Sequence, residues 1–338
     1  MKKIFLALAA VAAIAACTKS EAEYEPTSEI GFAPVVSNRT KAMQTETTFP
    51  EEAFNVWAWY KQINPGSTIT GWQNSAEPQQ NYIIEKPFAK QSNDLWGGDE
   101  ASYFWPKIGS LMFAGYYPTT IAEQVSYKFT STENVMTIIN YVPGFVTANT
   151  THEEDLMYFH MTDASCQNTT VEVEFKHALS WVDVVLVKAD GTPADAEITV
   201  NSVSFENIIP FGNATVNNSA VGASRVIQWT PHGDPKSVVV TETAGHVIDA
   251  NAARTPLVKQ PLFIPQPMTS LVVNYTIAST DGSQFTETKT ITLSTLVSGH
   301  SAWKPGKKYT YTISIGTTEI FINPEVAEWD AVPMSVTI

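Results

Sequence analysis

The chain has 338 residues, 43% hydrophobic and only 16% charged, with a formal net charge of −14. That acidic excess excludes a nucleic-acid surface, which needs clustered Lys and Arg to neutralise phosphates, and a count of two cysteines excludes a disulfide framework. The length fits one large or two medium domains, and long stretches dominated by Thr, Ser, Asn, Val and Ile favour strands over helices.

At the N-terminus, Met1-Lys2-Lys3, the apolar run Ile4 to Ala16 and the closing Ile14-Ala15-Ala16-Cys17 resemble a secretory lipoprotein signal with a bacterial lipobox. The run is too short to span a bilayer as a helix. The resemblance implies removal of residues 1–16 and acylation of Cys17, which anchors the mature chain on a membrane surface. Residues 17–29 carry Glu21, Glu23, Glu25 and Glu29 and read as an acidic tether.

Residues 30–36 alternate weakly and predict a short strand, followed by the polar loop Ser37-Asn38-Arg39-Thr40-Lys41-Ala42. Phe54 to Tyr60 sets Phe54, Val56, Ala58 and Tyr60 on one face and Trp57 and Trp59 on the other, so this strand is expected to be covered on both sides. Asn64-Pro65-Gly66-Ser67 and Trp96-Gly97-Gly98-Asp99 read as breaks. The aromatic block Tyr103 to Pro106 with Leu111 to Tyr117 is dense enough to anchor a core.

After Asp155 to His160 comes a polar link, Asp163 to Thr169, and then a fresh alternation of Val171, Val173, Phe175, His177 and Leu179. The chain is therefore divided near residue 170, into 30–170 and 171–338. Turn signals then recur about every ten residues, the spacing of a β-sandwich. Tyr309, Tyr311, Ile313 and Ile315 alternate with Thr310, Thr312 and Ser314. The final stretch, residues 331–338, places Val332, Met334, Val336 and Ile338 on one face, a strand that can pair within its own sheet or add to another molecule.

Chemistry is hard to find. The six histidines are scattered, without HExxH or a tight His/Cys cluster. His152-Glu153-Glu154-Asp155 is the best local ligand cluster, set against a solvated acidic loop, and His177, on an apolar face, reads as a hydrogen-bonded core residue. Cys166 lacks any marked neighbouring base and reads as inert. Gly-x-Ser-x-Gly and phosphate loops are absent. Trp72 and Trp96 offer sugar-stacking surfaces or, alternatively, core aromatics. The chain reads as a non-enzyme without cofactor or metal.

Several blocks taken in order resemble the fimbrillin family, lipoprotein pilus subunits of Bacteroidales-type Gram-negative bacteria. They are Ile30 to Ala42, Tyr103-Phe104-Trp105-Pro106, Leu111 to Pro118, Phe175 to Ser180, Trp303 to Tyr311 and Val326-Ala327-Glu328-Trp329. The resemblance implies two tandem transthyretin-like β-sandwich domains and a structural role, with other fimbrial subunits as partners. It further implies export to the outer membrane with the first strand filling a groove, cutting by an arginine-specific protease, and replacement by another subunit's C-terminal strand. Of Arg39, Arg225 and Arg254, Arg39 alone lies between the first strand and the first domain. By position the scissile bond is Arg39-Thr40 and the donor strand is 331–338. The competing reading is an anchored surface lipoprotein that binds glycan or a host ligand without polymerising.

Overall fold

Phe54–Lys61 is a strand buried on both faces, and the layers of the molecule follow from it. In this computed structural model the described residues are 28–36, 52–61, 80–106, 109–130, 133–144, 155–165, 170–218, 226–241, 245–248, 255–256, 261–279, 281–296, 301–316 and 320–328. Their strands, in chain order, are β1 (Gly31–Val36), β2 (Phe54–Lys61), β3 (Gln80–Lys90), β4 (Trp96–Gly98), β5 (Ser110–Tyr117), β6 (Val125–Phe129) and β7 (Asn134–Tyr141). Next come β8 (Met157–Ser165), β9 (Thr170–His177), β10 (Ser180–Lys188), β11 (Glu197–Ile208), β12 (Phe211–Asn217), β13 (Gln228–His232) and β14 (Lys236–Val239). The last seven are β15 (His246–Val247), β16 (Thr255–Pro256), β17 (Leu262–Phe263), β18 (Ser270–Ala278), β19 (Gln284–Thr292), β20 (Lys307–Ile315) and β21 (Ile320–Glu328).

Seven strands close into a barrel in the order β1-β4-β3-β2-β5-β8-β9. Its interior holds Phe32, Phe54, Val56, Ala58, Phe88, Phe113, Phe159 and Phe175. The other face of β2 and β5 carries Trp57, Trp59, Met112, Ala114 and Tyr116 against a sheet ordered β13-β12-β7-β6, which supplies Met136, Ile138, Ala214 and Val216. Alternation thus sends even and odd positions of β2 into two different cores, as its aromatic content predicts. The sheet covering the barrel joins β6 and β7 to β12 and β13, from beyond residue 210.

The rest of the chain builds two facing sheets, β16-β10-β20-β21 and β14-β11-β18-β19. Between them lie Val184, Leu186, Tyr309, Tyr311 and Ile313 from the first and Val200, Phe205, Val273 and Tyr275 from the second. β18 keeps the two-residue period, alternating buried and half-buried positions along its whole length, whereas β10 is buried continuously from Ser180 to Leu186 and β11 shifts register between Val200 and Ser202.

The all-β expectation holds, and three details differ. The first half closes into a barrel, which the sequence reading did not foresee. Trp96-Gly97-Gly98, read as a break, is β4, pairing with both β3 and β1; a Cβ on Gly98 would meet the Ala101 carbonyl at 2.0 Å, so only glycine allows that close turn. Finally, β8 continues to Ser165, through the start of the supposed polar link. The point of division near residue 170 adjoins residues 166–169, outside the described residues.

Candidate functional site: a strand that plugs the barrel

β1 is short, with Phe32 and Pro34 buried and Ile30 buried just before it, all on the inward face. Burying each such side chain stabilises the closed barrel by about 1.5–3 kcal/mol gross. Phe32 is the centre of the contact. Its ring sits edge-on to Phe88 at 5.0 Å, Phe113 at 5.1 Å and Phe54 at 5.8 Å. Edge-to-face geometry of this kind adds about 0.5–1.5 kcal/mol per pair beyond area burial.

The backbone of β1 is held unequally on its two sides. Along β9 it runs parallel for six pairs, Gly31 opposite Thr170 through Val36 opposite Phe175. Toward β4 one pair joins it, Phe32 opposite Trp96. Just upstream, the Ile30 N–H donates to the Tyr103 carbonyl at 2.7 Å and the Trp105 N–H donates to the Ser28 carbonyl at 3.1 Å. The Tyr82 hydroxyl donates to the Phe104 carbonyl; burial, with Tyr60 adding to it, pushes that hydroxyl's pKa up, so it stays protonated.

β9 depends on β1 in turn. It pairs with β8 at Met157–His177 and Tyr158–Lys176, after which the two strands diverge. The flare leaves a cavity of about 230 Å³ lined by Tyr158, Phe159, His160, Glu172, Glu174 and Asn218 among others. Tyr158 accepts a hydrogen bond from the Ile227 N–H at 3.0 Å, and burial, opposed by that bond, pushes its hydroxyl up to about 12. From Val171 to Phe175, among the described residues, the ladder partner of β9 is β1.

Other candidates resolve differently. His177 is half-buried at the end of β9 with Nδ1 2.5 Å from Asp155 Oδ2, a hydrogen-bonded histidine as its place on the strand predicts. Trp96 is not an exposed sugar platform: it is 7% exposed and its indole N–H donates to the Glu52 carbonyl at 3.1 Å. Among the described residues no group of three His, Cys, Asp or Glu could hold a metal ion. Cys17, Arg39, Thr40, Trp72, His152, Cys166, Arg225, Arg254, Val332, Met334, Val336 and Ile338 lie outside the described residues.

What sequence reasoning missed is the pairing. The alternation of β1 and β9 is visible in the residues, but nothing in them says that the two lie side by side in parallel. β3 was also missed, because positive φ at Glu85 and shifts in register break its period.

The profile of the family described as fimbrillin-like matches residues 40–329. Among solved structures, a fimbrial protein from Bacteroides vulgatus ATCC 8482 superposes with a TM-score of 0.63 at 16% identity, covering 89% of this chain and 99% of that one. A candidate cell adhesion protein from Bacteroides uniformis ATCC 8492 gives 0.52 at 17% identity, with 90% and 100% covered. At these identities the likeness is one of fold. No curated protein matches the sequence.

Proposed function

The chain belongs to the fimbrillin-like family, and from that premise we propose that it is a structural or adhesive subunit of a cell-surface fimbria, assembled by exchange of β1 for a strand of another subunit. The observation that carries the proposal is the plug: a short strand with Phe32 and Pro34 buried and Ile30 buried just before it, tied to β4 by one pair, its end at Val36 followed in sequence by Ser37-Asn38-Arg39-Thr40. While the plug stays covalently attached, an incoming strand competes with an intramolecular one, whose effective concentration is far higher. Cutting after Arg39 removes that advantage and makes loss of the plug irreversible by dilution. The apolar pockets it leaves then favour another strand. The stretch matched to the family begins at residue 40 and ends at 329, leaving out both β1 and the tail 331–338.

In this scheme residues 1–16 direct export, acylated Cys17 and the tether 17–29 hold the precursor on the outer membrane, and an arginine-specific protease releases it. The tail 331–338 is the donor, presenting Val332, Met334, Val336 and Ile338. The body is taken as two tandem units, variants of transthyretin-like sandwiches divided near residue 170, with β9, β12 and β13 lent to the first. The role is structural, so no cofactor is involved. A host or bacterial receptor is the remaining partner.

Intact-mass measurement of the protein recovered from the cell surface tests the scheme. A lipid-free chain beginning at Thr40 supports it. A lipidated chain beginning at Cys17 sinks the exchange role and leaves an anchored, ligand-binding lipoprotein.

A further inference from the structure

β19 ends its sheet with little to guard it. Among the described residues it pairs with β18 alone, in unbroken register from Ser270 opposite Thr292 to Ala278 opposite Gln284. It is nine residues long and contains neither proline nor glycine. The other strands that end a described sheet are shorter or interrupted: β16 has two residues, β14 four, β6 and β13 five each, and β21 carries Pro324 in mid-strand. Short length, bulges and prolines keep sheet edges from pairing with other chains, and β19 has none of the three.

Half of the β19 backbone faces outward. At one end of the hairpin the Ser279 N–H donates to the Ser283 carbonyl at 3.0 Å, and at the other the Leu293 N–H donates to the Thr269 carbonyl at 2.9 Å. Both bonds continue the β18–β19 register, so odd-numbered residues of β19 turn their amide groups to β18 and even-numbered ones turn theirs to the open side. Thr286, Thr288 and Thr290 therefore offer N–H and carbonyl groups to an incoming strand. There is room for one. Phe285 lies opposite Ile277 and Lys289 opposite Val273, on the inner face, yet Phe285 is 57% exposed and the Lys289 side chain 43%, against 8% for Ile277 and 0% for Val273. The facing sheet thus stops short of β19.

We propose that β19 pairs antiparallel with β19 of a second copy of this chain, about a two-fold axis at Thr288, joining two molecules side by side. This contact needs no release of β1 and goes beyond the strand exchange proposed above. The stretch Gln284-Phe285-Thr286-Glu287-Thr288-Lys289-Thr290-Ile291-Thr292 is complementary to itself in that arrangement. Thr288 meets its own counterpart, Thr286 meets Thr290, Glu287 meets Lys289 and Phe285 meets Ile291. An axis at Glu287 or at Lys289 would bring like charges together, and one at Thr286 or Thr290 would set Phe285 against Glu287 or Lys289 against Ile291. Charge and apolarity select one register. The opposite charges fall at non-hydrogen-bonded positions of the new ladder, where side chains lie closest. Glu287 and Lys289 already form an ion pair within one copy, so the pairing closes an alternating ring of four charges. On the outer face, Asn201 donates to Asn274 at 2.8 Å and Asn274 donates to the Thr288 hydroxyl at 2.7 Å; this row of hydrogen bonds ends at the hydroxyl that meets its counterpart across the seam.

Sedimentation equilibrium of the uncut chain 17–338 carrying Cys17→Ser tests the contact, because β1 stays in the barrel and association then reports this edge instead of strand exchange. Loaded at up to about 0.5 mM, enough to populate an interface of the small class, the chain is expected to show a monomer–dimer equilibrium. Glu287→Lys alone and Lys289→Glu alone should each weaken it about tenfold, whereas an equimolar mixture of the two variants sets opposite charges together again and restores it. Both side chains are surface groups, and circular dichroism checks that the variants fold. For the register, the same chain with Cys166→Ala receives one new cysteine. Directly opposed residues lie about 5.5 Å apart at Cα, within disulfide reach. Thr288→Cys should link to itself on oxidation, and Thr286→Cys should link only when mixed with Thr290→Cys. A monomer at every concentration overturns the proposal, as does a dimer indifferent to both charge reversals. Self-linking of Thr286→Cys at the rate of Thr288→Cys overturns the register. None of these results bears on strand exchange, which the intact-mass measurement decides separately.

Discussion

Phe32 lies directly opposite Trp96 in the one backbone pair joining β1 to β4, so the side chain that fills the barrel also sits at its weakest seam. Replacing Phe32 by Ala removes a fully buried ring with three edge-on neighbours. A loss of about 3–5 kcal/mol is expected in urea denaturation of the uncut chain. After cutting at Arg39 the same variant should release its plug fragment faster, measured by gel filtration. An unchanged denaturation midpoint would mean that the ring contributes little to closing the barrel.

Loss of the plug should loosen one strand far more than its neighbours. The amides of Val171 to Phe175 pair with β1, whereas β2 and β5 are joined to each other along seven pairs from Asn55–Tyr116 to Lys61–Ser110. Hydrogen exchange after cutting and dilution is expected to accelerate in β9 and stay slow in β2 and β5. Equal acceleration across the barrel would indicate that it unfolds as a unit when β1 leaves.

Gly115 is a site where no side chain fits. A Cβ there would lie 2.2 Å from Phe159 Cε1 and 2.5 Å from the Asn55 carbonyl oxygen. Because one of those atoms belongs to the backbone of β2, relief requires the strands to part. Gly115→Ala is therefore expected to destabilise by about 1–3 kcal/mol or more, read as a lower thermal midpoint.

A pH dependence is expected from Asp183 and Lys308, 3.7 Å apart, with the ammonium also 3.7 Å above the Trp181 ring. Burial raises the Asp183 carboxyl above its usual range and Lys308 pulls it back; burial lowers the Lys308 ammonium and Asp183 opposes that. A carboxyl whose folded pKa is raised contributes stability at low pH that is lost as pH rises through the folded value. Lys308→Met removes the opposing pull. The expected loss at neutral pH is about 1–3 kcal/mol, below the about 3–5 kcal/mol of a fully buried pair, since the Lys308 side chain is 25% exposed. That loss should shrink as pH falls into the acid range and Asp183 protonates. Denaturation at several pH values measures it, and a loss independent of pH would remove Asp183 from the account.

The amino-acid sequence by itself determined which residues turn inward. Period-two alternation reports the environment of each side chain one strand at a time, so β2, β9 and β20 were legible with their buried faces. The small residues before Cys17, Arg39 after the first strand and the alternation of 332–338 were legible for the same reason: each is a local pattern.

Tertiary structure alone decided which strands are neighbours. That β1 lies parallel to β9 depends on contacts between residues some 140 positions apart, and the pairing of β12 with β7 on contacts some 70 to 80 positions apart. Such pairings are chosen by the total packing of three cores, in which many strands with the same local alternation compete for the same faces. Trp96 shows the difference most plainly: its flanking glycines signal a turn locally, whereas the barrel uses it as the one pair that holds the plug against β4.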